Sequence, residues 1–269
     1  DGTPEPGIPK PPAGDPGPRP PTYPGFAATN TARQFTATAV TVREADVPKV
    51  NLRFVQADSI TLEAWVRVAE LKDGSYTYII GKGRTRAVGL PEKNQNYALR
   101  LHGEKGQAQV SFLFASVAEK DKPSDWHRWT TTKGFAPGEG WHHIAVSYTF
   151  GKPESIHGYI DGKSVAGTWD MGGATTRAPI ADADDLQLGT GNGGGAANTF
   201  NGWLDEVTVW RAIVPEAQLT ARYQYVPPPP AVRVEDIPRG HVLVHLCDAG
   251  MPAKNIWPDL PPSATETYR

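Results

Sequence analysis

The decapeptide SITLEAWVRV, Ser59 to Val68, alternates without a break: Ile60, Leu62, Ala64, Val66 and Val68 share one face and Thr61, Glu63, Trp65 and Arg67 the other. A period of two belongs to a pleated strand, so the pattern predicts a strand with one face in a core. Similar short runs recur as TYIIG (77–81), YALRLH (97–102), AQVSFLFA (108–115), WHHIAVSYTF (141–150), SIHGYI (155–160), LQLGT (186–190) and WLDEVTVW (203–210). In IHGYIDGKSV, Asp161-Gly162 stands between two alternating arms. Both central positions of a type I′ turn need positive φ, so this pair predicts a hairpin. Pro215 to Gln224 is the one helical stretch, with Pro215 at its first position and Leu219, Arg222 and Tyr223 at helical spacing. Val214 stands where a capping Ser, Thr, Asp or Asn is usual. Many strands, one terminal helix and no βαβ alternation predict an all-β fold, a two-sheet antiparallel sandwich.

Proline marks the ends of this body. The first 24 residues hold ten prolines and four glycines, too little apolar matter to offset ordering, so residues 1–26 read as an extended linker. Pro227 to Pro230 make a second break, which leaves residues 27–225 as the folded domain. Residues 226–269 read as a proline-rich connector with one strand-like run, Gly240 to Cys247, that would begin a following domain. The start at Asp1 suits a processed or excised piece. Cys247 is the only cysteine, so neither an internal disulfide nor a cysteine metal site is expected.

Charge removes two partner classes. With 27 Lys+Arg against 29 Asp+Glu, no general field draws in nucleic acid. No stretch reaches the roughly 18 apolar residues of a membrane span.

The ordered pieces EAWV, IIGKG, YALRL, GWHHIAVSYTF, GYIDGKSV, LQLGTG and FNGWLDEVTVWRAIVPEAQL resemble those of laminin-G-like, concanavalin A-like jelly-roll domains. The resemblance runs from about Phe35 to Tyr223. SFLFAS, DWHRWTTTKGFAPGEGWHH and YTFGKPESIHGYIDG are more narrowly similar to the version in large exported proteins of planctomycete-type bacteria that also carry cytochrome c-like domains. The resemblance implies a jelly roll, export to the periplasm or beyond, and neighbouring domains in the same polypeptide. No C-x-x-C-H haem motif lies in this chain.

A glycosidase of this architecture needs two carboxyl groups roughly 5 to 9 Å apart on one face. Asp205 and Glu206 are adjacent on a predicted strand and should point oppositely, leaving Glu63 as a distant partner. His142 and His143 should likewise diverge, with His127 the third residue of any imidazole site. The resemblance suggests Asp205 for calcium, completed by Asp46 or Glu44 near the start of the domain, since a hard cation wants six to eight oxygens. Asp182, Asp184 and Asp185 lack the order of a calcium loop and read as a solvated turn. Gly189 to Gly194 matches G-x-G-x-x-G but opens no helix that could hold a phosphate. It reads as a surface loop on the rim of a ligand site.

Trp126, Trp129, Phe135 and Trp141 are the strongest sign of binding, because sugar C–H faces stack on indole while polar groups read hydroxyls. Asp125, His127, Arg128 and Lys133 supply such groups, so a ligand site of Asp125, Trp126, His127, Arg128, Trp129 and Lys133 is expected. The expectation is a non-catalytic module that recognises a polysaccharide or glycoconjugate. A protein-interaction or spacer domain is the first alternative and a sandwich glycosidase or lyase the second.

Overall fold

The computed structural model describes residues 14–36, 38–48, 50–118, 125–194 and 198–224; the strand-like run at 240–247 lies outside them. In chain order the strands are β1 (Asp15–Pro16), β2 (Thr31–Thr36), β3 (Val40–Val42), β4 (Ser59–Val68), β5 (Tyr76–Lys82), β6 (Tyr97–Glu104) and β7 (Gln107–Ala115). They continue as β8 (Trp126–Phe135), β9 (His142–Thr149), β10 (Lys152–Ile160), β11 (Lys163–Val165), β12 (Gly167–Met171), β13 (Leu186–Leu188) and β14 (Asn201–Trp210), before helix α1 (Glu216–Gln224).

Two seven-stranded antiparallel sheets form, in the orders β1-β2-β14-β4-β9-β10-β11 and β12-β8-β7-β6-β5-β13-β3, so the expected sandwich is the fold. The alternating apolar faces meet between the sheets. Ile60, Leu62, Ala64 and Val66 of β4 are wholly buried with Leu99 and Leu101 of β6, Phe112 and Phe114 of β7 and Val146 and Tyr148 of β9. Each such side chain contributes about 1.5–3 kcal/mol relative to exposure.

At the expected hairpin between β10 and β11, Asp161 and Gly162 take φ of 53° and 72°, as a type I′ turn requires. A Cβ on Gly162 would stand 2.8 Å from the Thr220 Cα, so α1 docks where glycine lets the two backbones meet. Leu219 of the helix is buried with Val214, Trp210, Tyr159 and Ala145. Val214, lacking a capping side chain, instead gives its N–H to Thr61 Oγ1 at 3.0 Å.

Two expectations change. The second face of β4 is not open to water: Trp65 is 2% exposed and Glu63 3%, because α1 and the N-terminal segment cover the outer face of the first sheet. The segment through residue 26 is also no linker from residue 14 onward. There β1 pairs with β2, Tyr23 and Phe26 meet Trp65 edge-on at 5.1 and 5.2 Å, and Tyr23 Oη donates to the Trp141 carbonyl at 2.7 Å. The two aromatic residues supply the apolar burial that proline and glycine lack.

If this contact holds the segment, Phe26→Ala should lower unfolding stability by about 1–3 kcal/mol in a urea titration. A change within about 0.5 kcal/mol, the usual result at a surface position, would return the segment to the linker class.

Candidate functional site

The outer face of the second sheet carries what that of the first lacks, a set of aromatic and guanidinium groups not covered by a helix. Alternation builds it strand by strand. On β8, Trp129 and His127 turn inward while Trp126 and Arg128 turn outward, since Trp129 pairs in register with core Phe112 and Arg128 with Leu113. On β6, Arg100 and His102 are outward, across from Tyr78 and Tyr76 of β5.

Tyr76 stacks on His102 at 4.1 Å with planes 8° apart. The Arg128 and Arg100 guanidinium carbons lie 4.3 and 4.6 Å from the Tyr76 centroid. Arg84, from the loop after β5, lies over Trp126 at 4.8 Å and donates to Tyr78 Oη at 3.3 Å. Arg128 Nε donates to Asp170 Oδ1 at 2.7 Å. Arg100 is 5% exposed; its Nη2 reaches Ser111 Oγ at 3.4 Å, and its buried Nε has no hydrogen-bond partner.

The arginine loop is held by the aspartates expected to form a solvated turn. Asp184 is 1% exposed and accepts from Thr85 N at 3.0 Å, Thr85 Oγ1 and Asn94 Nδ2 at 2.8 Å. Burial raises the Asp184 pKa, but the Thr85 and Asn94 donors outweigh it and bring it below the ordinary value. Nearby, buried Lys82 pairs with Glu44 at 2.6 Å and donates to the Asp184 carbonyl. The glycine-rich loop lies beside the face, buried at Gly189 to Gly191: a Cβ on Gly191 would come within 2.5 Å of the Tyr78 ring, and Asn192 accepts from Arg86 at 3.2 Å.

The structure divides the residues expected to bind ligand. Trp126 and Arg128 belong to this face. Trp129 is in the core at 4% exposure. His127 is buried, donating from Nδ1 to the Gly173 carbonyl at 2.9 Å and accepting at Nε2 from Arg177 at 3.0 Å. Burial first, then Arg177, lowers its pKa, in keeping with a neutral ring. Asp125 pairs with Arg177 at 3.1 Å, and Lys133 is exposed near the far end of β8. Phe135 stacks on His142 and Trp141 lies against Trp65 on the other sheet, so the four aromatic residues form no single platform. Tyr76, Tyr78, Arg84, Arg100 and His102 were not anticipated, although YALRLH already puts Arg100 and His102 on one face.

Asp205 and Glu206 correct another expectation. Asp205 pairs with Trp65 and Thr208 with Glu63, so β14 carries one extra residue between them. Glu206 takes φ of 44° there, a left-handed conformation that marks a bulge and breaks strict alternation. Leu204 and Val207 both enter the core, which leaves Asp205 and Glu206 together on the outer face of the first sheet. Glu63 lies on that face too, accepting from His143 Nε2 at 2.9 Å, Trp210 Nε1 at 2.8 Å and Arg222 Nη1 at 3.3 Å. Its burial favours the neutral form, but Arg222 and His143 overcome that and hold its pKa at about 2. Burial, then the Asp205 charge, pushes Glu206 up to about 8.

The residues expected to share a calcium, Asp205 with Asp46 or Glu44, are not gathered at one point. Asp205 accepts from Asn30 Nδ2 at 2.6 Å and from the Glu206 N–H at 2.9 Å, next to a carboxyl kept protonated. Asp46 follows β3 at the edge of the opposite sheet, and Glu44 is engaged by Arg53 and Lys82. Among the described residues no group of three or more His, Cys, Asp or Glu is placed to hold a metal ion. His142 bonds Asp161 at 2.8 Å, His143 bonds Glu63, and His127 belongs to the other sheet.

A family model described as the concanavalin A-like lectin/glucanases superfamily matches residues 36–220. No curated protein matches the chain. Among solved structures, the SAP-like pentraxin of Limulus polyphemus is 14% identical, with 70% of this chain and 80% of that one covered and a TM-score of 0.45. The binding domain of Paraclostridial Mosquitocidal Protein 1 is 13% identical over 72% of this chain and 43% of its own, with a TM-score of 0.47. The CBM40 of the Ruminococcus gnavus IT-sialidase, solved with α2,3-sialyllactose, is 12% identical over 71% and 91%, with a TM-score of 0.43.

Folding raises the proton affinity of Glu206, so its contribution is full below pH 4.5 and is lost as pH rises toward about 8. Glu63 acts in the opposite sense, its contribution present above pH 4.5 and lost on acidification toward about 2. Glu206 should therefore lower the wild-type melting temperature between pH 5 and pH 8, against His127, whose lowered pKa adds stability as pH rises through the acid part of that window. Glu206→Gln should remove the falling component; wild-type and variant curves that run parallel would contradict it. Melting temperatures in EDTA and in millimolar calcium should coincide, and a rise with calcium that Asp205→Ala removes would restore the metal site.

Proposed function

Since the chain belongs to the concanavalin A-like lectin/glucanases superfamily, we propose that it is a non-catalytic carbohydrate-recognition module that binds its glycan across the outer face of the second sheet. The observation carrying this reading is the row of Tyr76, His102, Arg100, Arg128, Arg84 and Trp126, rings and fixed donors on one rigid sheet. Rings with an apolar body suit pyranose C–H groups, and guanidinium forks suit ring oxygens and hydroxyls. Sites held on strands are positioned more closely than sites on loops.

The non-catalytic part rests on the carboxylates. Among the described residues of this face, Asp170 is engaged by Arg128 at 2.7 Å and Glu104 lies 3.7 Å from Lys105, which supports a binding role over hydrolysis by a carboxylate pair. Glu63, Asp205 and Glu206 gather on the opposite sheet, where Glu63 serves α1. In the larger context the module would be one part of an exported polypeptide, joined to its neighbours through the proline-rich flanks. No helix among the described residues is long and apolar enough to cross a membrane.

A glycan array followed by calorimetric titration tests the proposal. Trp126→Ala and Arg128→Ala should each weaken binding about tenfold or more, which is 1.4 kcal/mol or more, while Lys152→Ala on the other sheet should not. No binding to any glycan would favour a spacer or protein-interaction domain, and release of reducing sugar would make it a hydrolase.

A further inference from the structure

We infer that the ligand of this face is an acidic glycan, one whose carboxylate or sulfate groups meet the guanidinium groups of Arg84 and Arg128 above the buried charge of Arg100. This rests on the glycan-binding reading and adds the chemical class.

The first support is an imbalance of charge. Among the described residues three guanidinium groups are carried on this side, against Asp170, which engages Arg128, Glu104, which lies beside Lys105, and Asp182 and Asp184, whose oxygens are taken by Thr85 and Asn94. Among the described residues no carboxylate lies within ion-pair distance of Arg100 or Arg84. Arg100 is the extreme case, a cation at 5% exposure with a buried Nε that donates to nothing. A buried cation without a counter-charge is costly, and removing a partner from such a pair typically costs several kcal/mol. Burial depresses the Arg100 pKa; Tyr78 opposes the shift and the nearby Arg128 charge adds to it. A bound anion would relieve both the desolvation and the repulsion.

The second support is the use of the rings. A neutral sugar stacks best on an open aromatic face. Here Arg84 lies over Trp126, which also packs against Tyr78, Ala98 and Leu113, while Tyr76 carries His102, Arg100 and Arg128 around it. The rings hold the guanidinium groups in place by cation–π contact and offer less of themselves to a ligand. What the surface presents is fixed positive forks, the geometry that takes carboxylate or sulfate in bidentate fashion.

The third support is preorganisation. Arg84 and Arg86 take left-handed φ of 60° and 62°. Asn94 Oδ1 accepts from Arg84 N at 2.5 Å, and Asp184 holds Thr85 between them. The cations are ordered before any ligand arrives, which lowers the cost of binding one.

The test is calorimetry on the full chain with matched pairs: polygalacturonate against its methyl ester, and dextran sulfate against dextran, over a range of sodium chloride. An acidic member should bind at least tenfold more tightly than its neutral partner and weaken with salt. Arg128→Gln and Arg84→Gln should each lose about tenfold for the acid alone, and Arg128→Lys should restore part of it. Both variants leave the more buried Arg100 in place, and a thermal melt confirms that they fold. Preference within one pair identifies carboxylate or sulfate as the group read. Equal affinity for neutral partners, unaffected by the arginine variants, would overturn the acidic class while leaving glycan binding intact. No affinity for either member of either pair, nor for any other glycan, would remove both. An equal loss in Lys152→Gln would reduce the effect to general charge attraction and also overturn it.

Discussion

A single buried carboxylate organises one side of this molecule. Glu63 is buried at the centre of the first sheet and takes donors from three other elements, His143 on β9, Trp210 on β14 and Arg222 on α1. A charge in that position costs several kcal/mol unless it is fully paired, so the folded state needs all three donors in place. That pairing seats the helix, and with Tyr223 and the N-terminal Tyr23 and Phe26 it closes the outer face of that sheet around Trp65. Among the described residues no helix lies over the other sheet. Its guanidinium and aromatic groups are the ones proposed for recognition.

Much of the fold was legible in the sequence because period-two alternation is local. The strands β4 to β7, β9, β10, β13 and β14, the Asp161-Gly162 turn and the terminal helix each follow from a few neighbouring residues, whereas β8 and β12 were not read as strands. What failed were inferences that needed to know what lies opposite. SITLEAWVRV looks half-buried, since nothing in it announces that a helix and a proline-rich segment will cover Trp65 and Glu63. Strict alternation set Asp205 and Glu206 apart, yet one inserted residue put both on one face. A bulge leaves no mark that single-sequence alternation reveals.

The candidate site shows the same limit from the other side. Trp126 and Arg128 were anticipated because they stand close together in the chain, but so do Trp129 and His127, which the pleat sends inward. The groups that complete the face, Tyr76, Arg84 and Arg100, come from β5, β6 and the intervening loop, and only register brings them beside β8. Asp184 was read as a solvated turn because acidic residues favour water, whereas its oxygens replace that water with the donors of Thr85 and Asn94.

The ends of the described fold both belong to the first sheet. β1 forms its outermost strand, and α1 runs over its outer face to Gln224. The described chain thus enters and leaves on the side of the first sheet. The face proposed for recognition lies on the opposite sheet, so the described ends and a polymer held against Tyr76 and Arg128 would occupy opposite sides of the sandwich.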